Sequence, residues 1–310
     1  MKIVILDRIA YIPENYIDAL KELGADIYDD TPKETEEIKQ RVAEAEIITA
    51  NYITVTPEII DAAPKLKYII SPAVGYDWID ASYATQKNIK VINCPTFVPL
   101  TVAEHAMALI FALAKRLLII VPELKSGVWD ANTHIGMELS GKKLGLVGYG
   151  NIGKNLEKIA NGMGLQVSYV NSRSTPGELD ALLKSSDIVC LCLPLNDKTH
   201  HLIDARRLKL LKKTAYLVNV ARGAIIDQKA LIESLKNQDF AGAGFDVYEG
   251  EPMSATSVPS AEIIELVNLP NVIGTPHSAF NTPEATDRKG QEILDNIKAC
   301  LAGAPQNVVN

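Results

Sequence analysis

The fold is decided by Gly148-Tyr149-Gly150-Asn151-Ile152-Gly153. This stretch follows an apolar run at residues 144–147 that predicts a strand, and it opens a helical pattern at Asn151–Gly162. Glycines at this spacing allow a tight turn, let the backbone approach a pyrophosphate and let helix and strand pack closely. The helix N-terminus offers unpaired N–H groups to the anion. We expect these six residues to bind a dinucleotide, and the alternative is an ordinary turn that uses glycine for its geometry.

Short β-branched runs alternate with helical patterns in two series around this loop. The first series predicts strands at residues 2–6, 26–28, 47–50, 68–71 and 91–93, with helices at 14–23, 34–43, 57–62 and 78–86. The second predicts strands at 144–147, 166–170, 188–193, 215–220, 242–247 and 272–274. Strands that alternate with helices form parallel sheets covered on both faces. The predicted fold class is therefore α/β, with a Rossmann dinucleotide-binding domain and a flavodoxin-like substrate domain, each doubly wound.

A chain of 310 residues has room for two such domains. We expect residues 1–99 to form the substrate domain and residues 100–282 the dinucleotide-binding domain. A helix predicted at 102–118 is expected to pass from one domain to the other. A last helix, 284–300 within the segment 283–310, begins after the second sheet has ended and is expected to pack back on the first domain.

Composition limits the classes of partner. The formal charge of −7 and the pI near 5.4 argue against broad binding to nucleic acid or to a membrane surface. The most apolar segment, 106–121, is interrupted by Lys115 and Arg116 and is shorter than the roughly 20 residues of a membrane span. The apolar run at residues 2–6 is too short for a signal peptide. A cytoplasmic enzyme is the expectation.

The cysteines give no sign of a metal. Cys94, Cys190, Cys192 and Cys300 show no CxxC spacing and no nearby His pair, so no metal site is expected. Cys190 and Cys192 alternate along an apolar run, and they are expected to face the same side of a buried strand as small hydrophobic residues.

The end of the second predicted strand of the dinucleotide domain bears on cofactor choice. A carboxylate at this position would bind the ribose 2′-hydroxyl of NAD, but the chain reads Asn171-Ser172-Arg173-Ser174. Hydroxyl groups and a guanidinium fork suit a 2′-phosphate instead. The sequence therefore predicts NADP(H) in preference to NAD(H), with NAD(H) still possible. The alternative is that Arg173 stacks on adenine or points to solvent.

Three later strands end in polar residues. Arg222 follows the strand at 215–220, Glu251 follows the strand at 242–247, and His277 follows the strand at 272–274. Ligands of open α/β sheets bind at the carboxyl ends of the strands, so these three side chains are expected to converge. Arginine binds carboxylates in a bidentate fashion, and histidine can exchange the proton that accompanies hydride transfer. A carboxylate beside the histidine would orient it. Singly, each residue could equally be structural or solvated.

Several of these segments resemble the D-isomer-specific 2-hydroxyacid dehydrogenase family. The similar segments, in the family's order over nearly the whole chain, are residues 74–77, 102–104, 148–153, 217–227, 244–252 and 275–277. The resemblance implies that His277 is the general acid/base, paired with Glu251, and that Arg222 binds the substrate carboxylate and C2 oxygen.

The resemblance also implies further binding residues. Asp246 matches the position that holds the nicotinamide carboxamide, and Pro194 and Val220 complete the expected cofactor-binding set. The backbone N–H groups of Val74 and Gly75 match the loop that completes carboxylate binding from the other domain. A hinged cleft and a homodimer, with the helix at 102–118 near its interface, are also implied.

Two positions depart from the family pattern. Asn171 replaces the usual acidic residue, and Phe280 stands where many members carry Trp.

The expected substrate is a small 2-oxo or D-2-hydroxy acid. A glyoxylate/hydroxypyruvate reductase is a narrower alternative. A cofactor-sensing interaction protein on the same fold is a rival from another class. Such a protein would carry extra unstructured tails for its partners, and none are expected here.

Overall fold

The computed structural model describes residues 1–9, 12–32, 34–252 and 258–310. The chain forms two compact units, one made of residues 1–98 and 281–310 and the other of residues 99–280. Each unit is built on its own parallel sheet, which confirms the predicted α/β class. In these four described ranges, no helix is long and apolar enough to cross a membrane.

The first unit has a five-stranded sheet. Its elements begin with β1 (Ile3–Ile5), α1 (Glu14–Glu22), β2 (Ala25–Ile27), α2 (Thr35–Val42), β3 (Ile47–Thr49), α3 (Pro57–Asp61), β4 (Tyr68–Ile70), α4 (Ala81–Gln86) and β5 (Lys90–Ile92). The strand order is β2-β1-β3-β4-β5, and all pairs are parallel. This is the flavodoxin-like order. Every residue of β1 and β3 is buried, and all of them are apolar except Thr49, as expected for strands covered by helices on both faces.

The second unit has a six-stranded sheet. Its elements are α5 (Pro99–Ala114), α6 (Leu117–Lys125), β6 (Lys143–Val147), α7 (Asn151–Gly162), β7 (Gln166–Val170), α8 (Pro176–Ser185), β8 (Ile188–Leu191), α9 (Ala205–Leu208), β9 (Tyr216–Asn219), α10 (Gln228–Lys236), β10 (Gly242–Phe245), α11 (Ala261–Val267) and β11 (Val272–Gly274). The order β11-β10-β9-β8-β6-β7 is parallel throughout. The chain places β7 on one side of β6 and then crosses over to place β8 on the other side, so the strand order reverses at β6. Such a reversal leaves a crevice at the carboxyl ends of β6 and β8, where ligands bind.

The first unit is completed by α12 (Pro283–Leu301), which follows the second sheet in the chain. Thr282 caps this helix by accepting a hydrogen bond from the Ala285 N–H. Asn296 is fully buried and donates to the Asn93 carbonyl at 3.0 Å. This bond ties α12 to the segment that follows β5.

The helix predicted at residues 102–118 is wrong in its extent. The structure has α5 ending at Ala114 and a separate α6 starting at Leu117. Between them Arg116 adopts a left-handed backbone with φ of +57°, which ends the helical hydrogen-bond pattern. Since left-handed residues are usually glycine or asparagine, an arginine there carries no sequence signal for the break.

The four cysteines are all buried and free. The Sγ atoms of Cys190 and Cys192 lie 3.7 Å apart, which confirms that both side chains face the same side of the sheet.

Candidate active site

Two glycines of the dinucleotide loop are required by packing. Gly148 has φ of +98°, and a Cβ there would lie 2.4 Å from the carbonyl oxygen of Cys192. A Cβ on Gly153 would lie 2.9 Å from the carbonyl oxygen of Gly148. A side chain at either position would push the loop away from β8 or open the first turn of α7.

The middle glycine is different, because it borders open space. A Cβ on Gly150 would meet no atom within 4 Å, so the missing side chain leaves room rather than relieving a clash. Gly150 is also the N-cap of α7, and within the described chain no side chain caps this helix end. The N–H groups of the first turn, carried by Asn151, Ile152 and Gly153, therefore face a cradle that suits a pyrophosphate. These residues fit a nicotinamide dinucleotide.

The Tyr149 side chain is held by the protein itself. Its ring stacks on Tyr169 of β7 with 3.7 Å between ring centroids, and its hydroxyl hydrogen-bonds to Glu157. The expected part of Tyr149 in cofactor binding stays a prediction.

The end of β7 forms a turn closed by Asn171. The Asn171 Oδ1 accepts a hydrogen bond from the Arg173 N–H at 2.9 Å, and the Asn171 N–H donates to the Ser174 hydroxyl at 3.2 Å. Asn171, Ser172 and Arg173 are exposed. The turn therefore presents a hydroxyl and a guanidinium to solvent beyond the carboxyl end of β7.

Two further expected cofactor residues follow neighbouring strands. Pro194 is exposed beyond the end of β8, and its carbonyl accepts a hydrogen bond from the Thr199 hydroxyl at 2.8 Å. Val220 is buried at the end of β9, with 6% of its surface exposed. Pro194 thus lies on the β8 side of the crevice left by the reversal of the sheet.

His277 and Glu251 form a hydrogen-bonded pair. The His277 Nδ1 lies 2.6 Å from the Glu251 Oε1, and the other carboxylate oxygen of Glu251 accepts from the Tyr248 N–H at 3.1 Å. Both side chains are partly exposed. This arrangement directs Nδ1 to the carboxylate and leaves Nε2 as the nitrogen for an external partner.

The backbone at His277 is left-handed, with φ of +50°. Such a conformation is costly for a residue with a Cβ and has to be stabilised by its surroundings. The His277 N–H donates to the carbonyl oxygens of Asp246 at 2.8 Å and Thr275 at 3.0 Å. The chain thus holds the imidazole in a defined position beyond β11.

The side chain of Asp246 organises this loop. It is 2% exposed and accepts hydrogen bonds from the Ser278 N–H at 2.8 Å, the Ala279 N–H at 3.0 Å and the Thr275 hydroxyl at 2.6 Å. His105 of α5 adds a contact, with its Nε2 2.9 Å from the Thr275 Oγ1. Residues on both sides of His277 are therefore anchored to one carboxylate, and the expected contact of Asp246 with the cofactor stays a prediction.

Sequence reasoning did not single out His105 or Thr275 as site residues. Thr275 stands in the quoted segment before His277, and His105 directly follows the segment at 102–104. Only the fold brings them together, because they are 170 residues apart in the chain.

Arg222 lies at the carboxyl end of β9. Its backbone is held by Asn219, whose amide donates to the Arg222 carbonyl at 2.9 Å, and its Nη1 donates to the Ala221 carbonyl. The next residue, Gly223, packs so closely on the chain after β10 that a Cβ would lie 1.8 Å from the carbonyl carbon of Tyr248. The segments that carry Arg222 and Glu251 therefore pack directly against each other.

Val74 and Gly75 belong to the first unit and follow β4. The Val74 carbonyl accepts from the Asn93 amide at 2.8 Å, and the Gly75 carbonyl accepts from the Ser71 hydroxyl at 2.6 Å. Both contacts fix the loop through its carbonyl groups. The expected role of the two N–H groups in substrate binding stays a prediction.

Residues 107–279 match the NAD binding domain of the D-isomer specific 2-hydroxyacid dehydrogenases. The chain belongs to this family. A glyoxylate reductase of Thermococcus kodakarensis is 36% identical over 96% of this chain and 94% of its own length. A D-3-phosphoglycerate dehydrogenase of Methanocaldococcus jannaschii is 35% identical over the whole chain, which spans 59% of that relative.

Among solved structures, an acyclic imino acid reductase in complex with NADPH and D-Arg superposes with a TM-score of 0.91. It shares 33% sequence identity, and the match covers 100% of both chains. The family member described here is thus an oxidoreductase acting on CH–OH donors, which transfers hydride between NAD(P)(H) and a 2-oxo or D-2-hydroxy acid.

Replacing Gly223 with Ala tests whether the contact between the Arg222 and Glu251 segments is required. Because the new Cβ would overlap the Tyr248 carbonyl carbon, one segment has to move, and shifts of about 1 Å can cost about 100-fold in rate. We expect kcat/KM to fall by about that factor. Gly162→Ala is the matched control, since a Cβ there meets no atom within 4 Å and lies at the end of α7. Equal activity of the two variants would contradict the requirement.

Proposed function

We propose that this family member is an NADPH-preferring reductase of small 2-oxo acids such as glyoxylate, hydroxypyruvate and pyruvate, yielding the D-2-hydroxy acid. The observation that carries the proposal is the His277–Glu251 pair, held beyond β11 by the buried Asp246 carboxylate. Curated relatives named glyoxylate reductases support a small substrate. A glyoxylate/hydroxypyruvate reductase is the narrower form of the same proposal.

The proposed chemistry divides between two side chains. Arg222 binds the substrate carboxylate and the C2 oxygen through its planar fork of N–H donors. His277 donates the proton to the C2 oxygen from Nε2, while Glu251 accepts the Nδ1–H and stabilises the imidazolium. A bound NADPH supplies the hydride that reaches C2. Phe280 stands on the same loop as His277, and their ring centroids are 6.4 Å apart. A bulkier side chain at this position would reduce the space for the substrate.

A second candidate is the reduction of an imino acid. It is favoured by the likeness to the imino acid reductase structure at a TM-score of 0.91. A C2 imine accepts hydride at the same carbon as a C2 carbonyl, and its carboxylate needs the same arginine. Adding ammonia or an amine to the 2-oxo acid assay separates the two candidates, because an imine reductase forms the amino acid in place of the hydroxy acid.

NADP(H) preference rests on the turn after β7. No carboxylate stands there to repel a 2′-phosphate, and Ser172 and Arg173 are exposed beside each other. The NADPH bound to the imino acid reductase structure supports the same preference. Hydrogen bonds from an arginine or a hydroxyl group are strongest when the acceptor is charged, as a 2′-phosphate is.

A homodimer is part of the proposal. Helix α6 is strongly apolar, yet it has no buried side chain, and Leu124 is 56% exposed. Trp129 and Ile135, in the segment that follows, are 86% and 82% exposed. Large apolar side chains exposed together mark a protein-binding surface, which a second copy of this chain would cover. A cytoplasmic location stays a prediction. The expectation that the protein binds neither nucleic acid nor membranes also stays a prediction.

Replacing His277 with Asn tests the proton-transfer role. The amide keeps a polar side chain of similar size but cannot exchange a proton near neutral pH, so we expect kcat to fall about 100- to 10,000-fold. The Kd of NADPH, measured by fluorescence titration, is expected to change little because the dinucleotide loop is untouched.

Two further variants complete that experiment. Arg222→Lys replaces the fork by a point charge, so we expect a rise in the KM of the 2-oxo acid together with a fall in kcat. His134→Asn is the control, since His134 also pairs with a glutamate, Glu123, and neither residue is among the proposed catalytic or cofactor-binding residues. An active His277→Asn enzyme would refute the assignment of the proton donor.

Cofactor choice is tested by Arg173→Ala and Asn171→Asp. Removing the guanidinium is expected to lower kcat/KM for NADPH about 10-fold and leave that for NADH nearly unchanged. The new carboxylate at 171 is expected to repel the 2′-phosphate and shift the preference to NADH. A wild-type enzyme that prefers NADH tenfold or more would overturn the proposed preference.

A further inference from the structure

A cluster of two histidines and a glutamate lies outside the proposed catalytic residues. His200 and His201 stand in the turn after β8, and Glu249 stands in the loop after β10. One ligand atom from each of the three side chains lies within 4.8 Å of the other two. The His201 Nε2 is 2.8 Å from the Glu249 Oε1, and the two imidazole rings have centroids 4.0 Å apart.

The backbone holds the three side chains in place. His201 adopts a left-handed conformation with φ of +48°, and its N–H donates to the Ala224 carbonyl at 2.8 Å. Gln228 fixes Glu249, because its Oε1 accepts the Glu249 N–H at 3.1 Å. The His200 N–H donates to the Asn196 carbonyl at 2.9 Å. The geometry is therefore set by loops anchored on both sides, which keep one ligand atom of each side chain within 4.8 Å of the other two.

We propose that His200, His201 and Glu249 bind a divalent transition metal of the zinc class. Two imidazoles and one carboxylate form a known zinc ligand set, and the partial exposure of all three side chains leaves a position open for water. Imidazole also suits Co²⁺, Ni²⁺ and Cu²⁺, whereas Mg²⁺ and Ca²⁺ prefer oxygen ligands. This proposal departs from the expectation of no metal. That expectation was based on the spacing of the cysteines, whereas the proposed ligands are an adjacent His pair and a glutamate distant in the chain.

The bound metal acts as a clamp between two loops. One loop follows β8 and carries Pro194, and the other carries both Glu249 and the proposed catalytic Glu251. A ligand that binds only the folded state stabilises it in proportion to the logarithm of its concentration above Kd. The site does not depend on the proposed substrate or on the cofactor preference.

Competing sites on the described part of the chain are weaker in ligands. His134 with Glu123 and His277 with Glu251 are pairs, and no third metal-ligating group joins either of them among the described residues. All four cysteines are buried. The His134–Glu123 pair provides a matched control. His134→Gln removes this partly buried pair and leaves the three-residue cluster unchanged.

The test titrates Zn²⁺ and Co²⁺ into untagged, EDTA-treated full-length protein. Calorimetry is expected to show that wild type and His134→Gln each bind one Zn²⁺ per chain. Added Zn²⁺ is expected to raise the Tm of both proteins. His200→Gln, His201→Gln and Glu249→Gln are each expected to weaken binding at least 10-fold and to abolish the rise in Tm. Co²⁺ is expected to give visible d–d absorption in wild type that each of these variants loses.

His200→Gln is the decisive variant, because the His200 side chain is exposed and the substitution leaves the His201–Glu249 hydrogen bond in place. Circular dichroism confirms folding of every variant before titration. The proposal is overturned if His200→Gln binds Zn²⁺ as tightly as wild type, or if wild type shows no saturable binding. Loss of hydride transfer in any variant has no bearing on the result, since metal binding is measured directly.

Discussion

The buried carboxylate of Asp246 is the constraint on which the proposed active site depends. A carboxylate removed from water has to receive hydrogen bonds, and here the donors are the N–H groups of Ser278 and Ala279 and the hydroxyl of Thr275. These donors flank His277 on both sides. The hydrogen bonds that offset the burial of this carboxylate therefore form in the same loop conformation that places the His277 imidazole beside Glu251.

The parallel sheet makes this arrangement possible. Strands β9, β10 and β11 are neighbours, so the residues that follow them meet at one edge although they are far apart in the chain. Gly223 then lets two of the loops pack at backbone distance. At the other side of the reversal, Gly148 and Gly153 allow the close packing of the dinucleotide loop, and Gly150 leaves room for a pyrophosphate. Glycine thus serves close packing at three positions and ligand space at one.

Much of the fold could be predicted from the sequence, because strands buried on both faces read as short apolar runs and the loop at 148–153 has its own spacing. The break at Arg116 could not, since a left-handed arginine depends on packing around it. The organising contacts of Asp246 were also missed, because they join residues about 30 positions apart through the register of β10 and β11. The same holds for His200, His201 and Glu249, whose proximity arises only when the two loops fold.

We propose that this site delivers hydride to C2 of a 2-oxo acid on the face that yields the D-isomer. The most direct measurement supplies NADPH deuterated at both C4 positions with glyoxylate, pyruvate or hydroxypyruvate, and analyses the products by mass spectrometry and chiral chromatography. We predict one deuterium at C2 in each reduced product and the D-isomer of lactate or glycerate. An L-isomer, a product without deuterium at C2, or no reduction of any of the three acids would overturn the proposed reaction.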